Sequence, residues 1–326
     1  MRRREFITFV GGTAAAWPFA AQALGKMRRI GVLMNLAADD PEGQSRLAGF
    51  LQGLQEAGWA VGRNVTIDVR WAAADAELMK RFAKELVALE PNLILTSSTP
   101  VTAAMLQATR TIPVIFVLVA DPVGTGFVAS LPRPGSNVTG FTPIVGSLGG
   151  KWVEFLKAIA PSVGKISMMF NPQTVTYVEG YLSSFKAAAA SRGMEASVAP
   201  VTDMHEIELL VSASDPSSGL VVIPDAFAAL HRADIVSLAV RYRVPAINWS
   251  RTFTEGGGLI SYGPNLVEEY RRAATYADHI LKGEKPSELP VQTPVKFELV
   301  INLKTAKALG LEVPPLLQQR ADEVVE

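Results

Sequence analysis

One pattern of strand-forming and helix-forming segments occurs twice in this chain of 326 residues, and it constrains the fold more than any other feature. In each copy a short apolar run ends in asparagine, at Asn35 and at Asn171. The helical pattern that follows stops at a glycine, Gly58 in the first copy and Gly193 in the second. The matching landmarks keep nearly the same separation along the chain. Such a repeat predicts two lobes that are built alike.

The segments within each copy alternate between strand-like and helix-like patterns. Ile30–Met34 and Leu93–Leu95 in the first copy, and Gly219–Ile223 in the second, are apolar without alternating polar residues. Runs of this kind are typical of strands in a parallel sheet that is covered by helices on both faces. The sequence therefore predicts an α/β protein with two open lobes, each containing a parallel sheet.

Two such lobes also predict where a ligand binds. In open parallel sheets, ligands lie beyond the carboxyl ends of the strands, where loops and helix N-termini point backbone N–H groups outward. If these edges of the two sheets face each other, the cleft between them is the binding site. Three segments are expected to cross between the lobes, namely 134–142, 249–261 and a third near 290–295. So few connections permit closure around a ligand.

The N-terminus is typical of an export signal. Three arginines at 2–4 precede a short apolar run, and Ala21-Gln22-Ala23 offers an A-x-A cleavage site. Arg3 and Arg4 also resemble the twin-arginine export signal. The apolar run is shorter than the ~20 residues that a membrane-spanning helix needs. We therefore expect residues 1–23 to be removed and the mature protein to be periplasmic without spanning the membrane.

The remaining chain is expected to divide into two lobes at the crossing segments. The first lobe comprises residues 24–140 together with about 262–292. The second lobe comprises residues 141–261 together with about 293–326.

Composition excludes several classes of function. The 31 basic and 31 acidic residues cancel, whereas nucleic-acid-binding proteins normally have a basic excess. The absence of cysteine excludes disulfides, thiolate metal sites and cysteine nucleophiles, and three scattered histidines do not suggest a metal site. Residues 124–129 fit G-x-G-x-x-A, but no acidic residue between Asp121 and Glu154 is available for a ribose. We therefore expect no cofactor, no metal and no enzymatic activity, with a cofactor-free isomerase as the enzyme alternative.

Several stretches resemble the substrate-binding proteins of ABC transporters, in particular the family that includes tryptophan-type and tyrosine-type binding proteins. The resembling stretches are 112–116, 121–124, 131–140, 302–311 and 320–323. The resemblance implies a type I periplasmic-binding fold, in which two Rossmann-like lobes are joined by a three-segment hinge. It also implies capture of a small solute, such as an amino acid or a related carboxylate, and its delivery to an ABC permease in the inner membrane. A ligand-binding partner of a membrane sensor is the alternative, and we expect a monomer.

Candidate ligand-binding residues follow the predicted strands. Four hydroxyl residues lie between a strand and a helix: Thr96, Ser97, Ser98 and Thr99. The positive end of that helix favours a carboxylate. Asp225 occupies the matching place in the second lobe, and Asp121 follows the last predicted strand of the first. Either carboxylate favours an ammonium group, and capping or a turn is the alternative for each residue.

Amide and aromatic side chains complete the candidate site. Asn35 and Asn171 end the first strand of each lobe, where an amide can donate and accept hydrogen bonds, although turn formation is the alternative. Tyr177, Trp249 and Tyr262 lie near predicted strand ends or the hinge. They are expected to form an aromatic wall for the ligand, unless they belong to the core. The loop at 96–99 and the carboxylate in the second lobe are expected to hold opposite ends of one ligand.

Overall fold

The computed structural model describes residues 27–326, so the expected export signal lies outside the described residues. The described chain forms two β-sheets with flanking helices. The strands are β1 (Arg28–Met34), β2 (Val65–Trp71), β3 (Leu93–Ser97), β4 (Val114–Val117), β5 (Val138–Phe141), β6 (Lys165–Phe170), β7 (Glu195–Pro200), β8 (Ser218–Val222), β9 (Ala246–Asn248), β10 (Ile260–Pro264), β11 (Phe297–Asn302) and β12 (Glu323–Val325). The helices are α1 (Pro41–Glu56), α2 (Ala76–Ala88), α3 (Thr99–Ala108), α4 (Leu148–Ile159), α5 (Glu179–Ala190), α6 (Met204–Ser212), α7 (Ala226–Leu230), α8 (Arg232–Arg241), α9 (Arg251–Glu255), α10 (Leu266–Leu281), α11 (Leu303–Ala308) and α12 (Pro315–Arg320).

Each sheet defines one lobe. The first sheet has five strands in the order β2-β1-β3-β4-β5, and all of its strand pairs are parallel. The second has seven strands in the order β12-β11-β10-β9-β8-β6-β7. Only β10 and β11 pair antiparallel in it. The predicted α/β fold with two parallel-sheet lobes is confirmed.

The apolar strands of the first lobe are buried on both faces. Ile30 and Val32 of β1 belong to the cluster that includes α1 and α10, whereas Leu33 belongs to the cluster that includes α2 and α3. Successive side chains of a strand point to opposite faces, so both faces need apolar residues. This explains why β1 shows no alternation of polar and apolar residues.

Helix α10 packs against α1 of the first lobe, although it directly follows β10 of the second sheet. Glycines on α1 allow this close approach. A Cβ atom at Gly49 would lie 2.7 Å from the carbonyl oxygen of Val267, and one at Gly53 would lie 2.4 Å from that of Arg271. Because backbone rather than a flexible side chain would be in the way, a larger residue at either position would separate the helices.

The chain crosses between the sheets at places that differ in part from the sequence-based expectation. The second half of 134–142 forms β5, the edge strand of the first sheet. The crossing expected within 249–261 is wrong, because this segment contains α9 and joins β9 to β10 of the same sheet. The chain leaves the second sheet only after Pro264. It returns beyond Gln292, which forms a β-bridge with Phe141, and then enters β11.

Within residues 27–326, no helix is both long enough and apolar enough to cross a membrane.

Candidate functional site

In the first lobe, hydrogen bonds join the carboxyl ends of β1 and β3. The backbone N–H of Asn35 donates to Ser97 Oγ at 2.7 Å. Thr96 Oγ1 lies 2.8 Å from Thr102 Oγ1, and the Thr102 hydroxyl donates to the carbonyl oxygen of Ser98 at 2.8 Å. Thr96 and Ser97 are both buried. Their hydroxyl groups therefore hold the strand ends and α3 together.

Ser98 is the unusual residue of this loop. Its backbone has φ 73° and ψ 161°, a region that is essentially restricted to glycine and costs about 1–3 kcal/mol in other residues. It precedes the ten-residue helix α3, and its side chain makes no capping hydrogen bond. The Ser98 hydroxyl is buried, and no hydrogen-bond partner reaches it within residues 27–326. A strained residue with an unpaired hydroxyl at a positive helix end is a strong candidate for binding an anion.

Asn35 supplies a second unpaired group at the same sheet edge. Its amide oxygen Oδ1 is buried and has no hydrogen-bond partner in the described part of the chain. This oxygen is an acceptor, so it favours a donor such as an ammonium group. The first lobe thus presents a hydroxyl and an amide oxygen, one able to donate to a carboxylate and the other to accept from an amine.

The second lobe contains a similar junction, but its side-chain atoms are already paired. The backbone N–H of Asn171 donates to Asp225 Oδ2 at 2.8 Å. Asp225 Oδ1 accepts from the Thr174 hydroxyl at 2.6 Å and from the backbone N–H of Phe227 at 2.9 Å. Asp225 is 4% exposed and caps α7. Its first role is therefore to join β6 to α7, although a carboxylate with three donors keeps about one further acceptor position.

Asn171 and Asp121 make the contacts of turn residues. Asn171 Oδ1 accepts from the backbone N–H of Gln173 at 2.8 Å, and its amide nitrogen donates to the carbonyl oxygen of Thr202 at 3.3 Å. Asp121 Oδ1 accepts from the backbone N–H of Gly124 at 2.8 Å. Turn formation, the alternative considered for both residues, accounts for the contacts with Gln173 and Gly124, whereas the contact with Thr202 joins the loop after β6 to the loop after β7.

Two of the candidate aromatic residues lie at strand ends of the second sheet. The Tyr177 hydroxyl donates at 2.7 Å to the carbonyl oxygen of Pro224, which lies between β8 and α7. Burial raises the pKa of the Tyr177 phenol well above its usual range, and the nearby Asp225 carboxylate adds to the shift. Trp249 directly follows β9 and belongs to the second-lobe core at 7% exposure, the alternative considered for it, but its indole N–H has no partner in residues 27–326. Both remain candidates for contact with an aromatic ligand.

Tyr262 lies elsewhere, within β10 and against the second-lobe core. Its ring centroid is 4.7 Å from that of Phe155 on α4 and 5.9 Å from that of Phe297 on β11. Burial raises the pKa of its phenol. The structure places this side chain in an aromatic cluster, so the core alternative considered for Tyr262 describes its surroundings.

The hydroxyl of Tyr177 allows a test of this part of the site. We expect Tyr177→Phe to lower the free energy of unfolding by about 1 kcal/mol, because it removes a hydrogen bond to the Pro224 carbonyl and leaves that acceptor unpaired. Urea denaturation followed by circular dichroism measures the change. Tyr242→Phe is a suitable control, because its hydroxyl makes a longer contact of 3.3 Å with Glu208. An equal loss in both variants would contradict the assigned strength of the Tyr177 bond.

Two charged residues that the sequence did not single out form a contact between the lobes. Asp40 precedes α1 of the first lobe, and Arg232 begins α8 of the second. Arg232 Nη2 lies 3.5 Å from Asp40 Oδ2. The Asp-Pro step at 40–41 is a helix-start signal from which a cap at Asp40 could have been predicted, but no pattern in the sequence indicates its partner.

Among the described residues, no group of three or more histidine, aspartate and glutamate side chains is placed to hold a metal ion.

Two open sheets with polar loops and a helix N-terminus at their strand ends define a two-lobed binding protein. The chain belongs to the ABC transporter substrate binding protein family, whose model matches residues 30–325. The resemblance found in the sequence is thereby confirmed.

Individual relatives agree with this assignment. The chain is 27% identical over 288 residues to the tyrosine-binding protein of Clostridioides difficile (strain R20291), a match that covers 88% of this chain and 82% of the relative. It is similar to the ABC domain from Streptococcus pneumonia in complex with L-Trp, with a TM-score of 0.81, 26% identity and coverage of 92% of this chain and 100% of that one. It is also similar to the ligand-free, open structure of a substrate binding protein with adhesive properties from Clostridium difficile. That match has a TM-score of 0.72, 27% identity and coverage of 92% and 99%.

Proposed function

We propose that this protein is the extracytoplasmic solute-binding subunit of an ABC importer and that it binds an aromatic amino acid, tryptophan or tyrosine, between its lobes. The observation that carries the proposal is the pair of buried, unpaired polar atoms on Ser98 and Asn35 beside the N-terminus of α3. They match the two charged ends of an amino acid. Similarity to a tyrosine-binding protein and to an L-Trp complex supports the aromatic class.

In the proposed site, side chains of both lobes contact the ligand. The Ser98 hydroxyl and the N-terminus of α3 bind the carboxylate, because both donate to negative charge. Asn35 Oδ1 and the remaining acceptor capacity of Asp225 bind the ammonium group from two sides. Trp249 and Tyr177 contact the aromatic ring. The other candidates at the strand ends act by holding these residues in place.

We further propose that the lobes move as two bodies about three connections. These are the segments between β5 and α4, between β10 and α10, and between Gln292 and β11. The first body then contains the first sheet with α10, and the second contains the second sheet. We propose that the closed form binds the ABC permease, because both lobes then form one continuous surface that the permease can contact.

Calorimetry with the protein lacking its first 23 residues tests the ligand class. We expect saturable 1:1 binding of L-tryptophan or L-tyrosine, and stabilisation of the fold by about 2.7 kcal/mol at a ligand concentration of 100 times Kd. Indole-3-propionate lacks the ammonium group and tryptamine lacks the carboxylate. Each should bind about 10- to 150-fold more weakly than L-tryptophan, because each loses hydrogen bonds to a charged group.

The other amino acids serve as controls in the same experiment. Absence of binding by both aromatic amino acids at millimolar concentration would contradict the proposed ligand class. Equal binding of tryptamine and L-tryptophan would contradict the carboxylate site at Ser98. Uptake of radiolabelled L-tryptophan by cells with and without the gene tests the importer role.

A further inference from the structure

We propose that Asp40 and Arg232 form a latch between the lobes, which stabilises the closed form and so raises ligand affinity without contacting the ligand. The inference rests on the proposed function, because it concerns regulation of the same cleft. It depends on one contact, the 3.5 Å approach of Arg232 Nη2 to Asp40 Oδ2.

The two carboxylate oxygens of Asp40 make different contacts. Oδ1 caps α1 by accepting from the backbone N–H groups of Glu42 at 2.9 Å and Gly43 at 3.4 Å. Oδ2 is thereby held toward the second lobe, where it meets the guanidinium of Arg232. The Asp40 side chain is only 14% exposed. The cap fixes the carboxylate before the lobes meet, so little side-chain entropy is lost when the pair forms.

Arg232 is held on its own side by one hydrogen bond, and its side chain is 33% exposed. Its Nη1 donates to the carbonyl oxygen of Ala229 at 3.2 Å, in the short helix α7. That helix has five residues and begins at its cap Asp225, which is bonded to Asn171 and Thr174. The proposed ammonium-binding residue therefore precedes this short helix, and the latch residue follows its C-cap at the start of α8.

The contact spans the lobes rather than lying within one of them. Asp40 begins α1, which packs against α10 on the first sheet. Arg232 begins α8, whose Ile235 and Ala239 belong to the second-lobe core. The structure with this contact superposes better on the L-Trp complex, at a TM-score of 0.81, than on the open, ligand-free protein, at 0.72. Sequence identity does not account for the difference, since it is 26% and 27%.

The expected effect is modest because the arginine is partly exposed. A pair of this kind changes an equilibrium by about two- to fivefold. If the ligand binds the closed form, loss of the latch lowers the ratio of closed to open protein and raises the apparent Kd by the same factor, provided that the closed form is the minor one without ligand. Salt should weaken the effect, because it screens exposed charge pairs.

Three variants isolate the latch. Asp40→Asn removes the charge but keeps a good helix cap, because asparagine caps as well as aspartate does. Arg232→Gln removes the other charge, and the double variant tests whether the two residues act together. Arg241→Gln is the matched control, because Arg241 lies on the same helix α8 but pairs at 3.9 Å with Glu208 of its own lobe.

The first readout requires no ligand. The chain has no cysteine, so Lys84→Cys on α2 and Lys186→Cys on α5 place one spin label on each lobe at exposed positions. The distance between the two spin labels is short in the closed form and long in the open form. We expect Asp40→Asn, Arg232→Gln and the double variant each to lower the ratio of short to long distances by about two- to fivefold. The double variant should show no larger effect than either single one. An unchanged ratio, or an equal change in Arg241→Gln, overturns the latch.

The second readout is the Kd of L-tryptophan and L-tyrosine, which should rise by the factor by which the distance ratio falls. A rise in Kd without a change in the distance ratio overturns the proposal, because the residues would then act on the ligand directly. If neither amino acid binds the parent protein but the distance ratio still falls, the ligand class is wrong and the latch stands.

Discussion

Replacing Ser98 with glycine is expected to weaken binding of L-tryptophan by about 10- to 150-fold, because it removes a hydroxyl that donates to the ligand carboxylate. The same change should raise the free energy of unfolding by about 1 kcal/mol. Serine at φ 73° and ψ 161° is strained by about 1–3 kcal/mol, and the extra flexibility of glycine in the unfolded chain offsets only part of the relief. A variant that is more stable yet binds less well cannot owe its lost affinity to misfolding.

Ser98→Ala is the matched variant for this prediction. It removes the hydroxyl but keeps the backbone strain, so binding should weaken as in Ser98→Gly while stability stays within about 0.5 kcal/mol of the parent protein. Calorimetry measures the affinity and urea denaturation measures the stability. Parent-like affinity in both variants would show that the carboxylate does not bind at Ser98.

Asp225→Ala is expected to lower the free energy of unfolding by about 3–5 kcal/mol, because donors on Asn171, Thr174 and Phe227 would lose the buried carboxylate that accepts from all three. The matched control is Asp203→Ala, which removes the cap of α6. Within residues 27–326 the Asp203 carboxylate accepts a hydrogen bond only from the exposed backbone N–H of Glu206, so its loss should cost about 1 kcal/mol. Urea denaturation of both variants measures the difference, and similar losses would contradict the buried role of Asp225.

Asp225→Asn separates the structural role from ligand binding. Asparagine keeps an acceptor for the helix cap, but it removes the charge that would face the ammonium group. If Asp225 also binds the ligand, L-tryptophan affinity should fall at least about tenfold in the folded variant, as expected when a charged partner is lost from a closed site. Parent-like affinity would restrict Asp225 to holding α7 and β6 together.

Sequence analysis predicted the strands whose burial can be inferred from their own apolar sequence. Residues 30–34 of β1 and 93–95 of β3 form apolar runs because helices cover both faces of the sheet, and this pattern can be recognised without knowing which strands pair. The segment that forms β5 and the first two residues of β10 were instead assigned to connections between the lobes. Their pairing with distant strands makes them strands, and short apolar segments alone do not indicate such pairing.

For the candidate site, the sequence indicated where the residues lie but not which of their polar atoms are hydrogen-bonded. The repeated pattern and the parallel-sheet rule were sufficient to select residues at the strand ends, and Ser98, Asn35 and Asp225 all lie there. Residue type did not indicate which of their polar atoms were already paired. Asp225 and Ser98 both looked suited to a ligand. Within the part of the chain that the structure describes, the Asp225 carboxylate accepts three internal hydrogen bonds, whereas the Ser98 hydroxyl makes none.

The sequence by itself determined the α/β class, the duplication into two lobes and the family, because these depend on local hydrophobic patterns and motifs that each segment carries alone. The tertiary structure decided where the chain crosses between the sheets, which polar atoms at the strand ends remain unpaired, and that Asp40 meets Arg232 across 192 positions of the chain. These features depend on contacts between distant segments. Such contacts form only when the helices and sheets have packed, since hydrogen-bond partners and ion pairs are set by position in space rather than by order along the chain.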